Sequence, residues 1–174
     1  MNFFNNKPKV DIALKDGTPL PEFKTEGSIG LDVHAMNLVA VYAGEKQVKG
    51  RVFEKLKSNF KEKGFICLRG HERALFGTGV HIQAENCYPS VKPRSGISLK
   101  RGVITVTGTV DIDYTGEVGV IIINSNNKIA KVFKEERLAQ LVFSPVIKPE
   151  IRKVKKLKEK TTRGNKGFGS TGTK

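Results

Sequence analysis

The run "RGNKGFGSTGTK", Arg163 to Lys174, places Gly167, Gly169 and Gly172 in the spacing G-x-G-x-x-G. That spacing binds a pyrophosphate when a strand precedes it and a helix follows, so that the helix N-terminus meets the phosphates. Only two residues follow here. The dinucleotide reading therefore fails on context, as does a kinase glycine loop, which needs a following strand and a catalytic core downstream. What remains is Phe168 between two glycines, followed by Ser170 and Thr171. A flat apolar ring beside hydroxyls and approachable N–H groups suits a mobile arm that closes on a ligand carrying both a ring and phosphates.

Four more stretches carry groups capable of acid–base or anion chemistry. They are "GSIGLDVHA" (Gly27 to Ala35), "PRSGISLKRGV" (Pro93 to Val103), "GTVDIDYTGEVGV" (Gly108 to Val120) and "RLAQLV" (Arg137 to Val142). Other chemistries are poorly supplied. Cys67 and Cys87 lie far apart with no second C-x-x-C, which argues against a disulfide framework and a structural zinc site. His34, His71 and His81 form no H-E-x-x-H and pair with no evident nucleophile.

These residues need a scaffold, and the segments between turns are short and rich in β-branched residues. "VDIAL", "GLDVHAM", "LVAVY", "GTGVHIQ" and "RLAQLVFSPV" read as strands. "RGVITVTGTVDIDYTGEVGVIIIN" (Arg101 to Asn124) reads as a hairpin that turns around Asp111 to Gly116. On that reading Asp111 and Asp113 alternate and face opposite sides. Many short strands separated by Gly and Pro predict an all-β jelly roll or sandwich. One stretch departs from the pattern: "GRVFEKLKSNFKEKG" (Gly50 to Gly64) sets Val52, Phe53, Leu56 and Phe60 at helical spacing with lysines opposite. It reads as a short amphipathic helix within an insertion of about Gly44 to Arg69.

The 174 residues suit one domain, and the formal charge of +14 implies an anionic partner. Nucleic acid, a small polyphosphate and a merely solvated lysine face all accommodate that charge. No apolar run approaches the roughly 20 residues that span a bilayer, and "MNFFNNKPKVDIAL" lacks the series of a signal peptide. No membrane contact is expected, and the expected location is the cytoplasm, or the nucleus in a eukaryote.

Taken in order, the four stretches and the glycine arm resemble the five motifs of the trimeric dUTPases, the dUTP pyrophosphatases. The resemblance runs from Gly27 onward, excepting about Gly44 to Arg69. It implies a dUTPase-type jelly roll over residues 1–162, an arm over 163–174 that closes on the site, a homotrimer, and Mg²⁺-assisted hydrolysis of dUTP to dUMP and pyrophosphate. Asp111 corresponds to the carboxylate that orients and deprotonates the attacking water and meets the sugar 3′-OH. Tyr114 corresponds to the ring that lies under the deoxyribose and leaves no room for a 2′-hydroxyl. Gly108 and Gly119 match positions where uracil is read by main-chain groups, and Thr109 and Val110 join them as substrate contacts. Arg94, Ser95 and Gly96 resemble the clamp on the leaving phosphates, and Gln140 the glutamine at the α-phosphate. Asp32 matches an acid that orders waters on the magnesium. In the arm, Arg163 would reach the γ-phosphate and Phe168 would stack on uracil, with Gly169, Ser170 and Thr171 beside it. Such residues make chemical sense, because hydrolysis at the α-phosphorus needs a held water, a carboxylate, and donors for the phosphate oxygens.

Leu31 and Lys166 depart from the residues usual in the family, and the Gly44 to Arg69 segment is longer than usual. That segment carries eight Lys and Arg against three acids between Glu45 and Arg69, so it could dock on its own sheet, on another protein or on nucleic acid. Two alternatives are weighed beside the dUTPase reading. A dCTP deaminase or a bifunctional nucleotide enzyme of the same fold would need a different serine–arginine pattern and a catalytic glutamate near the hairpin, for which Glu117 is available. A non-enzymatic regulatory or nucleic-acid-binding module would have no physical reason to keep the full set.

Overall fold

A computed structural model describes residues 8–157 of the chain. Strands dominate: β1 (Lys9–Leu14), β2 (Gly30–His34), β3 (Asn37–Ala43), β4 (Lys46–Gln47), β5 (Phe65–Leu68), β6 (Arg73–Glu85), β7 (Cys87–Pro93), β8 (Val103–Thr105), β9 (Gly108–Thr109), β10 (Glu117–Asn124), β11 (Ala130–Phe133) and β12 (Arg137–Pro145). Two helices, α1 (Gly50–Glu62) and α2 (Ser95–Arg101), interrupt them. The architecture is the all-β one the sequence predicts. Among the described residues no helix is long and apolar enough to cross a membrane.

All strand pairs are antiparallel. One sheet runs β4-β3-β6-β10-β8, with β1 also paired to β6; a second runs β2-β12-β7-β9; β11 and β5 form a small third ladder. Period-two alternation explains how they face one another. In β10 the side chains of Val118, Val120, Ile122 and Asn124 are buried while Gly119 and Ile121 face out. Val118, Val120 and Ile122 join Phe76 of β6, Val33 of β2, Val91 of β7 and Leu138 and Leu141 of β12 in one core between the sheets.

β6 carries the principal irregularity. Its register against β10 shifts between Glu117↔His81 and Gly119↔Gly77, so Thr78, Gly79 and Val80 stand opposite Val118 alone. Gly79 takes φ +71, and a Cβ there would lie 2.0 Å from Thr18 Oγ1, so both backbone and space require glycine. The bulge leaves few polar groups unpaired. Thr78 Oγ1 donates to Val118 O at 2.7 Å and accepts from Val80 N at 3.2 Å.

Helix α1 buries Phe60 and half-buries Phe53 and Leu56, positions that recur on one face. The Phe60 ring meets Phe76 with centroids 5.3 Å apart and planes tilted by 53°, a favourable aromatic geometry. The helix is thus docked on the chain's own core. Val52, expected on the apolar face, is 62% exposed instead, because it sits a quarter turn away from the Phe53–Phe60 line. Beyond the helix, Ile66 and Leu68 of β5 are core residues, so the end of the Gly44 to Arg69 segment is integral to the described fold.

Two expectations about local structure need correction. The stretch from Arg101 to Asn124 is not one hairpin. β8 pairs with β10, but β9 crosses to the other sheet and pairs with β7. Residues 110–116 form turns rather than strand, so strand alternation does not decide how Asp111 and Asp113 point. The second is α2, which went unforeseen because none of its seven residues is buried and it carries no apolar stripe.

Candidate active site

The residues singled out in "GLDVHA", "PRSG" and "RLAQL" converge on one hollow of about 550 Å³. β2 supplies Asp32, the β7–α2 junction supplies Arg94, Ser95 and Gly96, and β12 supplies Gln140. Sheet pairing brings them together: Gln140 stands opposite Asp32 across β12–β2 and opposite Lys92 across β12–β7.

Asp32 is buried and doubly engaged. Arg94 Nε lies 3.0 Å from its Oδ1, and Arg137 Nη1 donates to its Oδ2 at 3.1 Å. Arg94 also donates through Nη1 to the Arg137 carbonyl at 3.1 Å. A buried charge is tolerable when paired in this way, and the pairing fixes both guanidinium groups at the rim. Nearby, burial pushes His34 below the usual histidine range; Asp32 pulls it up, but Arg137, Lys24 and Arg94 add to the lowering. Gln140 Nε2 donates to Pro93 O at 3.2 Å. Ser95 and Gly96 open α2, where the first N–H groups of a helix have no partner within it.

Lys24, Lys100 and Arg137 line the same hollow and were not assigned from the sequence. Arg137 lies inside a quoted motif, three residues before Gln140, and that position was the available signal. Lys24 and Lys100 stand in lysine-rich stretches where spacing alone selects none. With Arg94 they give four cations against one carboxylate, which suits a polyanion.

The other half of the candidate set lies elsewhere. Thr109, Val110, Asp111 and Asp113 line a separate hollow of about 520 Å³ with Tyr88 and Lys148. Val110 N donates to Pro89 O at 3.0 Å, and Tyr114 N to Asp111 O at 3.1 Å. The Tyr114 hydroxyl donates to Glu117 O at 3.0 Å, and the ring lies over Gly116, where a Cβ would come within 2.4 Å of it. Gly108 has no atom within 4 Å of a notional Cβ, whereas at Gly119 that Cβ would meet Leu75 at 2.9 Å. The two hollows lie toward opposite ends of β7. At about 3.3 Å per residue, the five steps from Pro89 to Arg94 span roughly 16 Å. Arg163, Phe168, Gly169, Ser170 and Thr171 lie outside the described residues.

A family model, dUTPase, matches residues 61–172. The chain is 35% identical over 156 residues to the deoxyuridine 5'-triphosphate nucleotidohydrolase of Nautilia profundicola, covering 88% of this chain and 90% of that one. To the protein of the same name from Hydrogenobaculum sp. it is 36% identical over 164 residues, covering 92% and 95%. The chain belongs to the dUTPase family. Among solved structures, a dUTPase variant of Staphylococcus bacteriophage 80alpha with dUpNHpp superposes with a TM-score of 0.70 at 23% identity, over 96% of this chain and 99% of that one. A variant dUTPase from phage phi11 of S. aureus, described with a coordinated structural Mg(II) ion, gives 0.63 at 20% identity, over 88% and 100%. Those two likenesses establish the dUTPase fold.

Glu117, the glutamate a deaminase would need, is otherwise occupied. Lys15 Nζ lies 2.6 Å from its Oε2 and Gly79 N donates to its Oε1 at 2.7 Å. Burial pushes this carboxyl up, but the hydrogen bonds from Lys15 and Gly79 and the charges of Lys15 and His81 outweigh it, leaving it below the usual glutamate value. A carboxylate held ionised is poorly suited to act as a proton donor near neutral pH.

Proposed function

We propose that this dUTPase-family chain hydrolyses dUTP to dUMP and pyrophosphate, with the Asp32–Arg94–Arg137 hollow taking the triphosphate and the 108–119 region taking the nucleoside. The observation that carries the reading is the sorting of chemistry between the two hollows: four cations against one carboxylate in one, and Asp111 and Asp113 with Tyr88, Thr109 and Val110 in the other, at the turn that also carries Tyr114.

In this reading Asp111 holds and deprotonates the water that attacks the α-phosphorus. Arg94, Ser95 and the N–H groups of Ser95 and Gly96 receive the charge that develops on the leaving pyrophosphate. Gln140, whose Nε2 keeps a second N–H beyond its bond to Pro93, orients the α-phosphate by donating to one of its oxygens. Main-chain groups of Gly108 and Gly119 read uracil, with Thr109 and Val110 as further substrate contacts, because cytosine reverses the donor and acceptor pattern and leaves buried groups unpaired. Tyr114 excludes a ribose 2′-hydroxyl. Arg163, Phe168, Gly169, Ser170 and Thr171 form an arm, residues 163–174, that closes over the bound nucleotide, the preceding residues making up the β domain.

Among the described residues no three His, Cys, Asp or Glu cluster as metal ligands. Such a donor set fits a magnesium ion that arrives on the triphosphate and keeps most of its waters. Asp32 has a free lone pair on each oxygen beyond its arginine contacts and would accept hydrogen bonds from such waters. When bound, the ion neutralises charge on the phosphate oxygens.

The two sets line separate hollows on one chain, and a homotrimer with sites shared between chains would bring the hollow of one copy to the turn of another. The test of activity is pyrophosphate release from dUTP against dCTP, dTTP and UTP with Mg²⁺ present. Release with dUTP strongly preferred is expected; ammonia release from dCTP would put a deaminase in its place. The exposed lysines of α1 and its flanks stand apart from both hollows and are proposed as a polyanion or acidic-protein contact, to be tested by comparing salt-dependent DNA binding of the intact chain with that of a chain whose α1 lysines are neutralised.

A further inference from the structure

The turn that carries Asp111 and Tyr114 is exposed, yet a compact polar cluster beneath it joins three distant parts of the chain. The Tyr114 hydroxyl donates to the Glu117 carbonyl. His81 Nδ1, facing the Thr115 carbonyl at 3.0 Å, must be the donor there. Glu117 in turn is fixed through its side chain: Oε1 accepts from the Gly79 N–H in the β6 bulge, and Oε2 pairs with Lys15. Lys15 is itself anchored, because its backbone N–H donates to Gly79 O at 2.8 Å as the chain leaves β1.

Gly79 is thus held from both sides. Its N–H goes to a carboxylate on β10 and its carbonyl to the residue whose ammonium neutralises that carboxylate. The bulge removes the ordinary ladder partner of Gly79, and Glu117 replaces it. The Glu117 side chain is only 17% exposed, so an unpaired carboxylate would be costly there. Lys15 is 55% exposed, and no packing requires an ammonium at its tip.

We propose that Lys15 and Glu117 are positioning residues for the Tyr114 ring, and that through it they set how strongly the site discriminates deoxyribose from ribose. The inference rests on the assignment of Tyr114 given above. The Lys15–Glu117 pair holds the Glu117 backbone against the bulge, and that backbone carries the acceptor for the Tyr114 hydroxyl. Releasing the pair lets the turn shift, which relaxes the steric barrier to a 2′-hydroxyl.

The experiment compares kcat/KM for dUTP and for UTP in the full-length wild type and in Lys15→Met, Glu117→Gln and Lys15→Arg, with melting temperatures measured alongside. Displacement of a positioned group by a fraction of an ångström justifies an expected loss of about tenfold in the dUTP-to-UTP ratio for Lys15→Met and Glu117→Gln. Lys15→Arg, which keeps the cation, should retain the wild-type ratio. A merely structural pair would lower the melting temperature, or depress both substrates together, and leave the ratio unchanged; that result overturns the inference. Lys15→Met leaves the Glu117 carboxylate unpaired and is expected to lower the melting temperature, whereas Glu117→Gln leaves only the more exposed Lys15 without its partner, so the ratio is read on folded protein in both variants. A wild type that fails to prefer dUTP overturns the functional reading as well, whereas a wild type that prefers dUTP beside variants with an unchanged ratio overturns this inference alone.

Discussion

The hollow beside α2 and the turn at residues 110–116 handle polar groups in opposite ways. In the hollow, Asp32 on β2 is buried and locked to Arg94 at the β7–α2 junction and to Arg137 on β12, so these two guanidinium groups are held by the chain itself. In the turn, Asp111 and Tyr114 are exposed and are held mainly by main-chain hydrogen bonds and by the Glu117 region below. Binding a polyanion benefits from fixed charge, while admitting a sugar and a water needs an open surface that is aimed rather than enclosed. On the roles proposed for the two regions, the chain would meet both demands by building one on paired strands and the other on a supported turn.

The largest expected effect breaks the turn's half of this comparison. Asp111→Asn keeps the shape and removes the proposed base, so turnover should fall by about three orders of magnitude while dUTP binding persists, as measured by steady-state kinetics and calorimetry. Near-normal turnover would assign the base elsewhere. In the hollow, Gly30→Ala is more graded. Its Cβ would sit 2.4 Å from Gln140 Oε1, so the amide must swing aside; a loss of about tenfold in kcat/KM with little change in melting temperature is expected. A third variant separates support from chemistry: Phe60→Ala should cost about 3–5 kcal/mol of stability, read by denaturant unfolding, with kcat/KM of the folded protein unchanged. The smallest effect concerns acid. Since the folded Glu117 carboxyl lies below its ordinary value of 4.5, its contribution is present above that value and is lost as pH falls through the folded one. Wild type should therefore lose more melting temperature on acidification than Glu117→Gln does.

Much of this arrangement was legible in the sequence. Strand segments such as "VDIAL" and "RLAQLVFSP" declared themselves by β-branched content and by turn residues at their ends, and α1 by a period that no strand shares. Asp32, Arg94, Ser95, Gly96 and Gln140 were singled out from separate motifs and line one hollow. Long-range pairing was not legible. "VITVTGTV" is a continuous β-rich run, and nothing local says that β8 stays with β10 while β9 leaves for β7. Lys15 and Glu117 are 102 residues apart, and only the bulge at Gly79 brings them into register. α2 escaped notice because an exposed seven-residue helix carries no hydrophobic pattern.

The claim that joins these regions is that the hollow of one copy works with the turn of another. Equal amounts of Asp111→Asn and Arg94→Ala chains, each nearly inactive alone, can be unfolded together, refolded as a mixture and assayed for pyrophosphate release from dUTP. Random assembly of shared sites predicts recovery of about a quarter of wild-type activity, because one site in four draws an intact Asp111 from one chain and an intact Arg94 from its neighbour. A mixture no more active than the sum of its two components would place both groups in the same chain's site and contradict the account.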